Sequence, residues 1–431
     1  MHNTHSKNTV RYYVLIVLFF VFLFFSNDFG WIDVQKTAIV TAVGIDRQQD
    51  DFILTSQIAV PQSSKQGKAS EAVQIVSRGK TIADAFDEIN AKTGWYPKLV
   101  FCNLILLGEN TAKSNVFDAL DYFLRDEYLS DNCMLATCDG FAKDLLNSTA
   151  LVDSTNSMAM EKVLSSHAKR VGSVLPTTLK DFSIGYFSNS RCGFLPILKT
   201  QPQQEQIPSA SDSSNDSGST ENQSSSVENS SSEHGENSSS ANSGNSGNSE
   251  QSTDDKQSQQ KEKSVFSAGE TALFLDGKRV GKFTKEETFA FSAVTNKLRL
   301  ASYSVPQESA TCTLNIRQNS SKTKLIVGKD KRVCLSIRVT LTAGVLDYSK
   351  SQDLAQINDA GDLPNGIFPL AEKKLATDIT QVFEKCKSLQ CDLFGIVERL
   401  EKYEKKHFSH LRDTALGGAI ADVTVQFRSV R

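Results

Sequence analysis

One segment of the chain has a composition that does not fold by itself. Residues 201–263 hold twenty serines, eleven acidic and three basic side chains, and no aromatic residue. Such a composition buries too little apolar surface to offset the entropy of folding, so we expect a solvated, extended linker. Its net charge of −8 leaves +5 on the rest of a chain whose total is −3. The folded parts are therefore expected in residues 33–200 and 264–431, each long enough to bury a core.

The N-terminus carries an apolar run. The fourteen residues from Tyr12 to Phe25 include no charge and no amide, and they follow Lys7 and Arg11. On an insertion scale, the Val, Leu, Ile and Phe residues of this run contribute about 4 to 7 kcal/mol in favour of the membrane. Basic residues stay on the cytoplasmic side, so residues 1–11 should face the cytoplasm and the bulk of the chain should lie outside.

The apolar run is predicted to remain as an uncleaved anchor over residues 12–32. A cleaved signal peptide needs small residues one and three positions before the cut. Phe24 stands two positions before Ser26, and Asp28 stands two positions before Gly30, so neither site fits. The first cysteine is Cys102, so no site for lipid attachment follows the run. A poorly matched but still cleaved signal peptide is the alternative. The residues expected at the membrane are Tyr13, Leu18, Phe19, Phe22, Phe25 and Trp31.

Hydrophobic periodicity predicts a mixed α and β domain over residues 33–200. KTAIVTAVGID and FILTSQIAV flank a polar turn and predict a β-hairpin, and EAVQIVSRG predicts a further strand. Thr81 stands three residues before Asp84, which predicts a capped helix. The strands LVFCNLILLG and NCMLATCDG flank an amphipathic helix over residues 116–124, and another helix is predicted within residues 147–190.

The sequence patterns that predict secondary structure are clearer over residues 264–431 than over residues 33–200. TALFL and KRVGKF flank Asp276 and Gly277, a pair that favours a type I′ hairpin turn. Thr284 and Glu287 form a capping box at the start of a helix.

Strands and then helices follow this hairpin. Three strands are predicted, at TCTLNIRQN, TKLIV and KRVCLSIRVTLTAGVLDY. A helix is expected from Pro369 and a shorter one over residues 393–403. A last strand is predicted at ADVTVQFRSV. Runs of strands followed by helices are typical of the α+β class. We therefore predict a multi-domain α+β protein with mixed and largely antiparallel sheets, flanking helices and one N-terminal transmembrane helix.

The sequence carries no catalytic signature. GKT at residues 79–81 ends like a phosphate-binding loop, but Gln74 stands where such a loop requires glycine. No nucleophile elbow, zinc-protease or dinucleotide-binding motif occurs. His407 and His410 stand three apart near two glutamates, a spacing open to a metal, although a solvated helix face is favoured. We therefore predict no catalytic, metal or cofactor site.

Eight cysteines occur without a CxxC pair. Most lie within apolar strand or helix patterns, where a small buried thiol is the ordinary explanation. Because exported chains often form disulfides, a bridge or metal site at Cys133 with Cys138, or at Cys386 with Cys391, stays open. The other four are Cys102, Cys192, Cys312 and Cys334.

Six segments, in order along the chain, resemble the Ger(x)C family of spore germination proteins. WID followed by AIVTAVGID is similar to the family's opening strand, RGKTIADAF to a helix start, and LLGENTAK with FLRDE to a strand end and an R-D motif. GETALFLDGKRVGKFTKEET is similar to the family's hairpin and helix start, and CDLFGIVERL to its closing helix pair. The positions that carry the resemblance are Asp33, Gly44, Asp46, Gly79, Thr81, Gly108, Arg125, Asp126, Gly269, Thr271, Gly281, Glu287, Phe394 and Gly395.

Three features depart from the family pattern. Gly30 occupies the position of the usual lipid-bearing cysteine, so a transmembrane helix would replace lipid as the anchor. Asn103 stands where the family tends to place a histidine, and the serine-rich segment replaces a short connection.

The resemblance implies the C subunit of a nutrient germinant receptor in endospore-forming bacteria. Such a protein is not known as an enzyme, so we expect no cofactor, no small-molecule substrate of its own and no nucleic acid. Its expected partners are A-type and B-type integral membrane subunits at the outer face of the spore inner membrane. The alternative is an exported cell-wall-associated binding protein or hydrolase with its site in residues 147–190. Peptidoglycan activity abolished by a change at His167 would favour it.

Overall fold

A computed structural model describes residues 4–26, 37–59, 72–150, 155–165, 172–202, 263–307, 310–348 and 366–430. The predicted linker falls almost wholly outside these residues, as do Trp31 and Asp33. Met1–Pro202 and Glu262–Arg431 together form one compact unit.

The N-terminal helix α1 covers Thr4–Ser26. Among the predicted membrane residues, Tyr13, Leu18, Phe19 and Phe22 are exposed on it. No helix in the described part of the chain combines the length and the apolar character needed to cross a membrane. The anchor over residues 12–32 therefore stays a prediction.

Among the described residues, the larger of two sheets has ten strands. Its central path runs in the order β10-β9-β8-β6-β5-β1-β2-β3, while β4 pairs with β1 and β7 with β9. The strands are β1 (Thr37–Gln48), β2 (Asp51–Ala59), β3 (Ala72–Gly79), β4 (Tyr96–Lys98), β5 (Leu104–Leu107), β6 (Met134–Cys138), β7 (Thr149–Ala150), β8 (Cys192–Pro202), β9 (Lys263–Leu275) and β10 (Lys278–Phe283).

The centre of this sheet is parallel. Strands β1, β5, β6 and β8 are parallel neighbours, and antiparallel pairs flank them on both sides. Mixed sheets are confirmed, but the prediction of largely antiparallel pairing needs correction for this centre. Helices connect β5 to β6 and β6 to β8, and such crossovers join parallel strands.

Helices cover both faces of the larger sheet. They are α2 (Ile82–Thr93), α3 (Glu109–Lys113), α4 (Phe117–Arg125), α5 (Ala142–Asn147), α6 (Asn156–Leu164) and α7 (Leu179–Phe187). Helices α2, α4 and α7 share one core with Ile105 and Leu107, while α5 and α6 share another with Leu104 and Leu106. Alternate residues of β5 thus serve opposite cores, as the period of a strand requires.

A second, four-stranded sheet lies in the C-terminal part. Its order is β11-β12-β13-β14, with β13 and β14 parallel. Its strands are β11 (Ala301–Gln307), β12 (Ala310–Val327), β13 (Val333–Tyr348) and β14 (Ile420–Ser429); the helices of this part are α8 (Lys285–Val294), α9 (Ile367–Ser388), α10 (Ile396–Tyr403), α11 (Lys405–Leu411) and α12 (Ala415–Gly418). Strand β11 was not predicted, and TCTLNIRQN and TKLIV form one strand because the polar residues between them also pair with β13.

Local sequence signals are confirmed where they depend on short spacing. Both capping boxes form, at Thr81 for α2 and at Thr284 for α8. Asp276 and Gly277 have φ values of 49° and 74°, as a type I′ turn requires. Helices α6 and α7 confirm helical structure within residues 147–190.

The segment after the predicted linker returns to the first sheet. Strands β8 and β9 pair in antiparallel fashion, with Pro202 opposite Ser264. Strands β9 and β10, which begin the predicted C-terminal part, therefore complete the sheet that the N-terminal part begins.

Candidate docking surface

The first group of family-motif residues lies at the carboxyl ends of the parallel strands. Asp46, near the end of β1, is only 3% exposed. Its Oδ1 accepts a hydrogen bond from Ala142 N at 2.8 Å and its Oδ2 one from Lys143 N at 3.0 Å. Asp46 therefore caps the N-terminus of α5 from a distant strand. Gly108 leaves the room for this carboxylate, because a Cβ there would lie 2.0 Å from Oδ1.

Burial raises the pKa of Asp46, and the two amide hydrogen bonds partly oppose that effect. Both carboxylate oxygens are engaged by backbone donors. We therefore assign Asp46 a structural role, and Gly44, also in β1, packs against Ala142 and Leu146 of the same helix.

The next motif residues begin and end helices. Gly79 lies where β3 meets α2, and Thr81 Oγ1 accepts a hydrogen bond from Asp84 N at 3.1 Å. Arg125 is exposed and pairs with Asp121 at 2.8 Å, one turn earlier in α4.

Asp126 shapes the turn that follows α4. Its Oδ1 accepts hydrogen bonds from Tyr128 N at 2.8 Å and from Leu129 N at 2.9 Å.

The motif residues after the linker lie in β9, β10 and α8, and two of them connect α8 to its neighbours. Thr271 is fully buried and accepts a hydrogen bond from Thr288 Oγ1 at 3.1 Å. Glu287, besides closing the capping box of α8, pairs with Lys385 Nζ at 2.6 Å and so ties α8 to α9. Gly281 lies at an irregularity of β10 against Leu389, whereas a Cβ at Gly269 would make only ordinary contacts with Lys285.

The last motif residues surround an aspartate that sequence reasoning did not select. Phe394 packs edge-on against Phe291, and Gly395 begins α10 with a φ of 65°. Asp392 is 4% exposed and accepts hydrogen bonds from Ile396 N at 2.9 Å and Val397 N at 2.8 Å. An aspartate just before a helix is a capping signal that could have identified it.

A cleft of about 520 Å³ lies between α7, β8 and α10, with Asp392 in its wall. Burial raises the pKa of Asp392 to about 6, against the opposing effect of its backbone hydrogen bonds. Glu398, also in the wall, accepts a hydrogen bond from Ser190 N at 3.0 Å. The Glu398 carboxylate therefore holds α10 to the segment before β8.

The prediction of no metal site stays a prediction. Within the described ranges, no three His, Cys, Asp or Glu side chains are grouped so that they could hold a metal ion. His407 and His410 both lie in α11.

An exposed apolar ridge stands on α7. Ile184 is 61% exposed and Phe187 is 72% exposed, three residues apart on the outward side of the helix. Tyr403, at the end of α10 across the cleft, is 63% exposed. We call Ile184 and Phe187 the α7 ridge. An exposed apolar patch beside a cleft is typical of a surface that binds another protein or a membrane.

A second apolar area lies near the amino ends of the parallel strands. We call Trp95, Tyr96, Phe101 and Tyr128, all exposed, the aromatic edge. Lys98 Nζ lies 5.2 Å from the ring centre of Tyr96 and 4.4 Å from that of Tyr128, so Lys98 joins these two rings of the aromatic edge. Tyr96 pairs with Thr37, the first residue of β1, eleven positions after the end of α1.

Comparison with known proteins gives concordant matches. Residues 32–200 match the family described as spore germination protein N-terminal domain, and residues 269–427 match spore germination B3/GerAC like, C-terminal. Together the two matches cover about three quarters of the chain.

One curated relative and one solved structure are similar. Spore germination protein B3 of Bacillus subtilis (strain 168) is 31% identical over 135 residues, which is 30% of this chain and 35% of that protein. The match thus spans about a third of that relative. The GerBC protein has a TM-score of 0.48 and 16% identity over 90% of this chain and 97% of that one.

Proposed function

Because the chain belongs to the Ger(x)C family of spore germination proteins, we propose that it acts in germination as a non-enzymatic, membrane-held subunit of a nutrient germinant receptor. Its work in this proposal is protein contact with A-type and B-type integral membrane subunits. The observation that carries the proposal is the α7 ridge, an apolar surface exposed beside a cleft.

The positions of the motif residues support a non-catalytic role. Asp46 and Asp392 are the two buried aspartates in the described part of the motif segments, and the oxygens of both accept hydrogen bonds from backbone amides at a helix start. A general acid or base has to reach a substrate, and these carboxylates face backbone donors.

Membrane attachment is the second part of the proposal. With the anchor over residues 12–32 in the bilayer, Thr37 lies a few residues from the membrane surface. The aromatic edge beside Thr37 supports this arrangement, because Trp and Tyr favour the membrane–water interface. Tethering raises the effective concentration of the subunit near its partners without any new contact.

The docking role of the α7 ridge is tested by replacing both ridge residues with serine. If partners cover Ile184 and Phe187, their loss removes at least about 3 kcal/mol of apolar burial, roughly 100-fold in affinity. We expect the double variant to lose co-purification with the A-type and B-type subunits from detergent-solubilised spore membranes, and its spores to germinate slowly.

Leu346→Ser is the matched control. Leu346 is 57% exposed on β13, far along the chain from the ridge, and its replacement should leave co-purification unchanged. A ridge variant that folds and still co-purifies at the parental level would remove the α7 ridge from the proposal.

The anchor is tested by the mass of the mature N-terminus. An intact N-terminal peptide in the membrane fraction supports the anchor, whereas a chain that starts near residues 27–31 contradicts it. The alternative of a cell-wall hydrolase predicts activity against peptidoglycan that depends on His167, a residue outside the described part of the chain.

A further inference from the structure

Two cysteines from distant parts of the chain meet beside the cleft. Cys192 begins β8, and Cys391 lies in the turn between α9 and α10. Cys192 lies close enough to the Cys391 thiol to raise its pKa. Both side chains are buried, with exposed fractions of 4% and 0%. The sequence had left open a bridge between Cys386 and Cys391, and the structure brings a different thiol to Cys391.

Backbone contacts place the Cys192 sulfur beside Cys391. Cys192 Sγ accepts a hydrogen bond from Asp392 N at 3.1 Å. Because Asp392 N is bonded to the carbonyl carbon of Cys391, Cys192 Sγ lies within about 6 Å of the Cα of Cys391. Cys391 Sγ in turn donates to the carbonyl of Phe274 at 3.3 Å, and Phe274 pairs with Gly193, the neighbour of Cys192.

The neighbouring thiol of Cys386 is held differently. Cys386 lies in the last turn of α9 and its carbonyl accepts a hydrogen bond from Cys391 N at 2.9 Å. Its side chain faces the inner side of α9 and is fully buried. Cys386 therefore serves as the nearby cysteine against which the pairing of Cys391 can be tested.

We propose that Cys192 and Cys391 form a disulfide in the exported protein, linking strand β8 to the α9–α10 turn. The bond joins the two segments that match the family on either side of residues 203–262. The inference rests on the proposed function in one respect, since an oxidising compartment requires the bulk of the chain to lie outside the cytoplasm.

The chemistry needs an oxidant, which is a disulfide carried by a thiol oxidoreductase or by a small thiol compound. One cysteine thiolate attacks a sulfur of that disulfide and forms a mixed disulfide, releasing the donor's first thiol. The second cysteine thiolate then attacks the mixed disulfide and releases the donor's second thiol. Two electrons pass to the donor, and the two cysteine protons end on its thiols.

The surroundings of the two sulfurs determine when the disulfide can form. The neighbouring Cys192 side chain and burial both raise the pKa of the Cys391 thiol, so the reactive thiolate is rare in the folded protein. The exchange therefore takes place during folding, before α10 closes over β8. Once formed, the bond is shielded from reductants by the same burial.

The experiment reads the covalent state of the full chain. A recognition sequence for a specific protease is inserted within residues 203–262, and the protein is taken from the exporting cells directly into denaturant with N-ethylmaleimide. After cleavage in dilute denaturant, we expect a single band on a non-reducing gel and two fragments after reduction. Mass spectrometry should find a peptide pair joined through Cys192 and Cys391.

Three variants sharpen the assignment. Cys192→Ser and Cys391→Ser should each release two fragments without reductant, whereas Cys386→Ser should behave like the parent. Two free fragments from the parent, with N-ethylmaleimide on both Cys192 and Cys391, would overturn the proposal. A bridge from Cys391 to Cys386 would overturn it equally.

A measurement of membrane topology distinguishes failure of the disulfide proposal from failure of the proposed function. Intact protoplasts are treated with the same protease, which cleaves the inserted site only if that site lies outside the membrane. Cleavage together with free thiols rejects the disulfide and leaves the proposed function standing. If the protease does not cleave the site, the proposed location outside the membrane is rejected. The purified chain is then refolded with oxidised and reduced glutathione. Any pairing other than Cys192 with Cys391 in the refolded chain rejects the disulfide.

Discussion

Replacing Gly108 with alanine tests the buried contact between β1 and α5. The backbone of Gly108, with φ −67° and ψ 163°, suits alanine, so the substitution adds only a methyl group. That methyl would lie 2.0 Å from Asp46 Oδ1 and 3.3 Å from the carbonyl oxygen of Gly140. The Asp46 carboxylate must therefore move away from Ala142 N and Lys143 N.

The cost is set by the hydrogen bonds that Asp46 loses. Hydrogen bonds to a charged group contribute about 1.5 to 3 kcal/mol each, and two are displaced. We expect Gly108→Ala to lower the free energy of unfolding by about 3 to 5 kcal/mol, measured by urea denaturation of the purified full chain at pH 7.5.

Gly269→Ala is the matched control. The nearest atoms to a Cβ at Gly269 belong to Lys285, at 3.9 and 4.0 Å, and its φ is not positive. The same change of side chain should therefore alter stability by no more than about 1 kcal/mol, and in the favourable direction if the unfolded chain loses freedom.

A double variant decides whether Asp46 is the cause. In an Asp46→Ala background the obstructing oxygen is gone, so Gly108→Ala should cost about 1 kcal/mol or less there. The reasoning is refuted if Gly108→Ala costs less than about 1 kcal/mol in the parent, or if the two substitutions are additive.

Three further predictions concern the C-terminal part and the linker. Because burial raises the pKa of Asp392 to about 6, the folded state holds this proton more tightly than the unfolded chain. Stability from this group is therefore present in acid and falls by about 3 kcal/mol as pH rises from about 4 past 6. Asp392→Asn should flatten that slope in urea titrations, and it should be the less stable protein at pH 5 because its amide has one oxygen for the two N–H donors of Ile396 and Val397; a slope equal to that of the parent would show that Asp392 does not cause it. Replacing Glu287 and Lys385 singly and together should give a coupling of about 1 kcal/mol by double-mutant cycle, since their 2.6 Å contact is mostly buried; a coupling near zero would make the ion pair incidental. Replacing residues 203–262 with a short glycine-containing turn should leave the circular dichroism spectrum, melting temperature and germination nearly unchanged, because β8 and β9 already pair; loss of the folded state would refute this.

Several residues of the docking surface could not be selected from the sequence. Ile184 and Phe187 look like core residues, since α7 carries apolar side chains on most of its turns. Their exposure depends on which side of α7 meets the sheet, and Phe182 and Leu179 occupy that side instead. Asp392 had a local capping signal, but its burial and its raised pKa come from the packing of α10 against β8.

The amino-acid sequence by itself determined the local elements and the family. The capping boxes at Thr81 and Thr284 and the turn at Asp276 need only residues a few positions apart, so their signals are complete within short segments. Tertiary structure decided the parallel centre of the sheet, the return of β9 to β8, and the meeting of Asp46 with Gly108. Each of these joins residues far apart in the chain, and the free energy of such a contact depends on a packing arrangement that no single segment encodes.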